Sequence, residues 1–277
     1  MTGSGEQPQG QRDERGRQLH ELSPAQAEYP CDAFALTGLT RHSALRECVI
    51  ICLCLLVAWL GPQVWYSVRA PRRGPVDLFW AWLLPNVAFS TAFVGLALLL
   101  TMRRDGTAGS LGLRRDRMEG QVLWGIVGGV LAYALFLLWL GGDWLVRYVA
   151  WRWGQGEPMS SETVSDPGRA WDDLSTGVTL AMLVAASAVE ETAFRGLLLP
   201  RLHRLTGRWW SAVAISGLLF GVWHALGGLH YVLQTALVSV AFSLVFICSR
   251  SLVAAVLAHA LYNAAQMHLG AWWSSGE

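Results

Sequence analysis

Long apolar runs recur along most of the chain and are separated by short polar connections. Seven such runs lie at about residues 47–66, 76–102, 121–140, 174–199, 209–226, 231–248 and 253–269. Each approaches the roughly 20 residues that an α-helix needs to cross the hydrocarbon core of a bilayer. The pattern therefore predicts an all-α, polytopic transmembrane helical bundle of about seven spans, with six to eight as the range.

Two polar segments interrupt this pattern and divide the chain. Residues 1–44 are rich in Gln, Glu, Arg and Gly and have no apolar core followed by a cleavage site, which predicts a disordered tail rather than a secretory signal. Residues 141–173 form the only sizeable loop, and its tryptophans are expected at the membrane interface. We therefore expect three spans and an interfacial loop in residues 45–173, followed by a four-span core in residues 174–270.

The composition agrees with a membrane protein. Of the 277 residues, 53% are hydrophobic and 15% are charged, whereas soluble proteins have roughly 45–50% and about 25%. The net charge is only +1 and no basic stripe is present, so the lipid bilayer and not nucleic acid is the expected partner. Three of the five cysteines, Cys48, Cys52 and Cys54, lie inside the first apolar run, which argues against a disulfide framework or a cysteine metal site.

The basic residues indicate both the source and the orientation of the chain. All 21 of them are Arg and none is Lys, which together with abundant Ala, Gly and Leu is typical of a GC-rich bacterial genome. Arg is more frequent in the connections on the side of the N-terminal tail than in those on the other side. The positive-inside rule then predicts an inner-membrane protein with a cytoplasmic N-terminus and an external C-terminus.

The clearest candidate for chemistry is a pair of adjacent carboxylates inside the fourth run, Glu190 and Glu191. A charged side chain at the centre of a spanning helix opposes insertion by about 2.5–3.5 kcal/mol, so both need a partner or a wet cavity. Glu191 and Arg195 stand four residues apart on one helix face, which predicts an ion pair between them. Glu190 is rotated about 100° away and has no such partner on its own helix, which makes it a functional candidate.

Two histidines lie plainly within later runs and can meet this carboxylate. His224 lies near the end of the fifth run, and His259 shares a helix face with Asn263 in the seventh. A carboxylate with an imidazole can hold and deprotonate water, while a second imidazole and a carboxamide can donate hydrogen bonds to an oxyanion. These are the parts of a hydrolase. Their expected depths in the membrane, counted in residues from the ends of their runs, differ by up to about 13 Å among Glu190, His224 and His259.

The order and spacing of these residues resemble the CPBP family of intramembrane glutamic proteases, which includes CAAX prenyl proteases and bacteriocin-processing or abortive-infection proteins. The residues that carry the resemblance are Glu190-Glu191-x-x-x-Arg195, Phe220-x-x-x-His224 and His259-x-x-x-Asn263. The resemblance covers about residues 174–269 and identifies this part as the catalytic core. It also implies that Glu191 and Arg195 form a structural ion pair, as their spacing already indicated.

The resemblance further implies a role for each remaining polar residue. Glu190 would be the general base on the attacking water, and His224 would help to hold that water. His259 and Asn263 would stabilise the tetrahedral oxyanion. The implied enzyme is a membrane-embedded peptidase whose substrate is a membrane-associated protein or peptide, and a bacterial source makes a prenylated CAAX tail an improbable one.

The cofactor and the function class have alternatives at this stage. Glu190, His224 and His259 could instead be the three ligands of a catalytic zinc, and no His-Glu-x-x-His helix decides between the two. We expect the metal-independent mechanism, with no cofactor, because it gives His259 and Asn263 a use. A transporter or proton-relay protein could use the same buried residues, and a non-catalytic scaffold could hold its helices together with them.

Overall fold

The computed structural model describes residues 39–69, 75–102, 111–113, 117–154 and 176–274. All regular elements in these ranges are helical: α1 (Arg41–Arg69), α2 (Pro75–Met102), α3 (Met118–Arg152), α4 (Thr176–Glu191), a π-helical segment (Thr192–Leu198), α5 (Leu199–Thr206), α6 (Trp209–Trp223), a 3₁₀ turn (Ala225–Gly227), α7 (Gly228–Ser249) and α8 (Leu252–Ser274). The predicted tail up to residue 38 and the predicted loop from 155 to 173 lie outside the described residues.

The predicted all-α polytopic bundle is confirmed for the described chain, and each of the seven apolar runs forms part of a helix. Four helical stretches are long and apolar enough to cross a membrane: Arg41–Trp65, Met118–Arg152, Thr176–Thr206 and Ala225–Ser249. Three shorter apolar stretches accompany them: Pro85–Leu100, Trp209–Trp223 and Leu252–Met267. That these three also span the membrane stays a prediction.

The first part of the predicted loop is helical, and the sequence-based boundary at residue 141 is wrong. Helix α3 continues to Arg152. Its polar residues in this part satisfy one another on the helix surface, because Arg147 Nε lies 2.8 Å from Asp143 Oδ2, four residues earlier. Trp144 and Tyr148 stack with ring centroids 5.3 Å apart at the same spacing. Charges and aromatics that suggested a loop therefore stabilise the last turns of the helix.

Small residues bring α3 against the two C-terminal helices. A Cβ atom at Gly128 would lie 2.3 Å from Val245 of α7 and 2.9 Å from Ala258 of α8. Such contacts require glycine, and they are the usual basis of close helix packing in membranes. A buried hydrogen bond of 2.6 Å from Ser251 Oγ to Gln121 Oε1 also connects α3 to the start of α8.

The N-terminal helix is tied to the remainder by a second ion pair that the sequence did not reveal. Arg201 Nε lies 2.8 Å from Glu47 Oε2, and both side chains are almost fully buried. Arg201 also donates a hydrogen bond to the carbonyl of Leu197. Helix α5 ends at Thr206 and is followed by Gly207, whose φ of 68° is the left-handed conformation common directly after a helix.

We predict opposite effects for two Gly→Ala substitutions in α3. Gly128→Ala inserts a methyl group into occupied space and is expected to lower the free energy of unfolding by about 1–3 kcal/mol. Gly141→Ala, where nothing lies within 4 Å, is the matched control and is expected to be neutral or to stabilise by about 0.5–1 kcal/mol. Denaturant titration of the purified protein in detergent measures both, and equal effects would contradict the close packing at Gly128.

Candidate active site

The site is assembled where α4 and α8 pack with opposite chain directions. His259 Nδ1 lies 2.8 Å from Glu191 Oε1, and Asn263 Nδ2 lies 3.5 Å from Ser187 Oγ. Residue numbers rise on α8 while they fall on α4, so the helices are antiparallel here. The four-residue spacing on each helix places both pairs along one line of contact.

The ion pair predicted from the Glu191 and Arg195 spacing is present. Arg195 Nη1 lies 2.8 Å from Glu191 Oε1, and neither side chain has exposed surface. Arg195 Nη2 donates a second hydrogen bond, of 2.8 Å, to the carbonyl oxygen of Ser239 on α7. The guanidinium carbon also lies 4.8 Å from the centre of the Phe220 ring and 5.3 Å from that of Phe242. Aromatic faces attract a cation, so this buried charge has partners on three helices.

The helix changes its winding immediately after the two glutamates. Residues Thr192–Leu198 form a π-helix, a form that is rare and is frequently found at functional sites. Thr192 Oγ1 donates a hydrogen bond of 2.7 Å back to the carbonyl of Ala188. Arg195 lies within this wider segment and still reaches Glu191. The chain continues without interruption into α5.

The adjacent glutamates have different environments. The Glu191 side chain is fully buried, whereas 19% of the Glu190 side chain is exposed. Glu190 Oε2 lies 3.8 Å from His259 Nε2, which is beyond a direct hydrogen bond. Two glutamates thus face the two nitrogens of one imidazole.

His224 reaches this cluster through an aromatic ring. It is the residue directly after α6, and its Nδ1 lies 2.9 Å from the carbonyl oxygen of Phe220. The Phe220 ring has its centroid 4.8 Å from the ring of His224 and 5.7 Å from that of His259. The ring of Tyr231 lies 5.7 Å from His224. The structure thus groups Glu190, Glu191, Arg195 and His259 by polar contacts, and it connects His224 to them by Phe220.

Sequence reasoning gave no role to several residues that shape this cluster. Ser187 could have been found, since it lies four residues before Glu191 on the same helix face. Phe242 could not, because it is one apolar residue among many; its ring stacks on His259 with centroids 4.6 Å apart and planes 18° apart. The Ser239 carbonyl is a backbone group, so the residue types in the sequence could not indicate its role.

The three residues of the zinc alternative, Glu190, His224 and His259, are not arranged as a metal-binding group in the described chain. Within the described ranges, no three or more His, Cys, Asp or Glu side chains are arranged to hold a metal ion. Glu190 and His259 are close to each other, but His224 is not grouped with them. The donor set therefore does not fit a three-ligand zinc site. Metal independence itself stays a prediction.

We predict that Phe220 is essential to the stability of the site. Its ring is 2% exposed and contacts Arg195, His224 and His259, so Phe220→Ala leaves a cavity at their centre and should cost about 3–5 kcal/mol of unfolding free energy. Leu218→Ala on the same helix is the control, because Leu218 is 57% exposed and should change stability by less than about 0.5 kcal/mol. Denaturant titration in detergent again provides the measurement, and similar values for the two variants would refute this role.

A comparison with known families supports the resemblance seen in the motifs. Residues 172–265 match the family model described as type II CAAX prenyl endopeptidase, Rce1-like. This range contains all seven motif residues from Glu190 to Asn263. No curated protein and no solved structure matches the chain. The apolar helices agree with an integral membrane protein, and the match of residues 172–265 to the Rce1-like family model indicates a protease.

Proposed function

We propose that the protein is an intramembrane endopeptidase that hydrolyses a peptide bond in a membrane-associated protein or peptide. The observation that carries the proposal is the contrast between two adjacent glutamates on one buried polar cluster. One carboxylate is fully enclosed by its partners, and its neighbour is open enough to meet water. A single carboxylate in this position is suited to activate a water molecule.

Glu190 is the general base in this proposal. Its side chain retains 19% exposure, so water can reach it. Glu191 is unsuited to the role because Arg195 and His259 both contact its Oε1 and because it has no exposed surface. The geometry therefore favours the same assignment that the motif implied.

His224 is suited to hold the attacking water. The carbonyl oxygen of Phe220 can only accept a hydrogen bond, so His224 Nδ1 must carry a hydrogen and donate it. In the neutral ring, Nε2 is then left as an acceptor. A water held by the Glu190 carboxylate and the His224 Nε2 would have both hydrogens engaged and its lone pair directed at a substrate carbonyl.

Two side chains on α8 are available to donate hydrogen bonds to the oxyanion. His259 Nε2 faces Glu190 and donates when the ring carries both hydrogens, and the Asn263 amide makes a long contact of 3.5 Å to Ser187 within the described chain. Both lie on one face of α8, one turn apart. Donors fixed in this way stabilise the negative charge that develops on the carbonyl oxygen.

The proposed reaction needs no group beyond water and these side chains. Glu190 takes a proton as the water oxygen bonds to the substrate carbonyl carbon, and the carbonyl oxygen becomes an oxyanion. The bond from carbon to nitrogen then breaks, and Glu190 returns its proton to the leaving nitrogen. The products are a new carboxyl terminus and a new amine, and the base is regenerated.

The position of His224 suggests the membrane face to which the site opens. Helix α6 has only 15 residues, about 22 Å against a hydrocarbon core of about 30 Å. His224 follows its last residue, at the end opposite to Arg204 and Arg208, which lie in the last turn of α5 and directly before α6. With these arginines in the cytoplasm of a bacterium, the site opens toward the outer face. Substrates are then proteins or peptides that reach the inner membrane from that side.

We predict that Glu190→Gln abolishes proteolysis without loss of folded protein. The amide preserves the shape of the side chain but cannot take a proton, which typically costs about 10²–10⁴ in rate. Quantitative mass spectrometry of membrane and secreted proteins from cells with the wild type or the variant should reveal one species whose terminus depends on Glu190.

The control for this experiment is Glu119→Gln, which changes an exposed carboxylate at the start of α3 and should leave every terminus unchanged. Identical termini in wild-type and Glu190→Gln cells at equal protein abundance would refute the base assignment. If an ion or solute gradient changed in the Glu190→Gln cells while termini did not, the transporter function would replace the peptidase.

We predict that activity does not require zinc. Elemental analysis of active, detergent-purified protein is expected to give well under one zinc per chain, and 1,10-phenanthroline should leave cleavage intact. A zinc enzyme would lose both metal and activity on chelation. Stoichiometric zinc, with activity lost on chelation and regained on adding zinc, would overturn the glutamate mechanism and make Glu190, His224 and His259 metal ligands.

A further inference from the structure

The His259 ring contacts both glutamates, and the two contacts differ. Nδ1 lies 2.8 Å from Glu191 Oε1, a full hydrogen bond, whereas Nε2 lies 3.8 Å from Glu190 Oε2. A carboxylate in an ion pair with Arg195 accepts hydrogen bonds and does not donate them. His259 Nδ1 must therefore carry the hydrogen in this contact.

The contact is fully protected from solvent. Glu191 has no exposed surface and only 5% of the His259 side chain is exposed, so water cannot compete for the hydrogen bond. Within the described part of the chain, Glu191 Oε2 has no hydrogen-bond partner. The carboxylate thus directs a single oxygen, Oε1, at both Arg195 and His259.

Aromatic rings fix the plane of the imidazole but not which nitrogen faces which carboxylate. Phe242 stacks on the His259 ring at 4.6 Å, and Phe220 meets it edge to face at 5.7 Å. If the His259 ring were flipped by 180°, it would keep its contacts with both Phe242 and Phe220. The hydrogen bond to Glu191 is the interaction that distinguishes the two orientations.

We propose that Glu191 is a positioning residue that sets the tautomer and the rotation of His259, so that Nε2 faces Glu190 and the substrate. This assigns Glu191 a role beyond the structural ion pair with Arg195. The arrangement has the logic of a catalytic dyad, in which a buried carboxylate orients an imidazole. With Nδ1 directed at Glu191, Nε2 is the ring nitrogen that can meet a substrate, and it donates to an oxyanion when the ring carries both hydrogens. The effect of this contact on catalysis rests on the proposed peptidase function, whereas the contact between His259 and Glu191 does not.

The first test needs no substrate and no change at Glu191. Nitrogen NMR of detergent-purified protein labelled with ¹⁵N-histidine reports which ring nitrogen carries hydrogen, and His259→Gln identifies the His259 signals by their loss. The expected result is a protonated Nδ1 on His259. A His259 with an unprotonated Nδ1 would overturn the proposal, whatever the protein's activity.

The second test separates positioning from stability by using the two buried Arg–Glu pairs of this chain. Glu191→Gln with Arg195→Gln removes both charges of the site pair, so neither is left buried alone. Glu47→Gln with Arg201→Gln is the matched control, because that pair has the same 2.8 Å separation and joins α1 to α5. Both double variants are purified, and kcat and KM are measured on the folded fraction.

The site double variant is expected to lose about 10²–10⁴-fold in kcat with little change in KM, and its His259 signals should show a mixture of tautomers. The control double variant is expected to keep the wild-type kcat. A folded site variant with kcat within about threefold of wild type would overturn the proposal. If the NMR result is as expected but Glu190→Gln alters no substrate, the positioning contact stands and the peptidase function fails.

Discussion

One buried carboxylate oxygen connects the parts of this membrane core. Oε1 of Glu191 is contacted by Arg195 from the π-helical segment and by His259 from α8, each at 2.8 Å. Through Arg195 the network extends to the backbone of α7 at Ser239. A charge buried without such partners would cost about 3–5 kcal/mol even in a soluble interior. The helices therefore cannot separate or slide without exposing a charge to lipid, which fixes their register.

The same constraint explains how two identical neighbours differ in chemistry. Successive residues of a helix point about 100° apart, so Glu191 faces the packed helices while Glu190 reaches a more open position. Environment rather than residue type therefore distinguishes the two carboxylates. The pair places one enclosed carboxylate and one partly exposed carboxylate on a single turn.

Sequence predicted those features of the site that depend on one helix at a time. The Glu191–Arg195 pair follows from four-residue spacing, and the shared face of His259 and Asn263 follows in the same way. The contact of His259 with Glu191 could not be foreseen, because it depends on where α8 begins relative to α4. The loop predicted from residue 141 was wrong for a related reason. Asp143 and Arg147 are charged residues that suggest a loop, but they form an ion pair with each other on the surface of α3.

The contact between α1 and α5 could not be predicted from the hydrophobic pattern either. Glu47 stands in the first helix and Arg201 in α5, 154 residues apart, and neither position is unusual for a charge near the end of an apolar run. Family comparison covers only residues 172–265, so it includes the arginine and omits the glutamate.

This remote pair has a consequence for how the catalytic part can be handled or exchanged. An excised fragment that begins after α3 would retain Arg201 and lose the carboxylate that neutralises it. A chimera with the first helix of another protein would meet the same problem unless that helix supplies an acid at the matching level. The segment that matches the Rce1-like model therefore contains a buried arginine whose carboxylate partner lies outside the match.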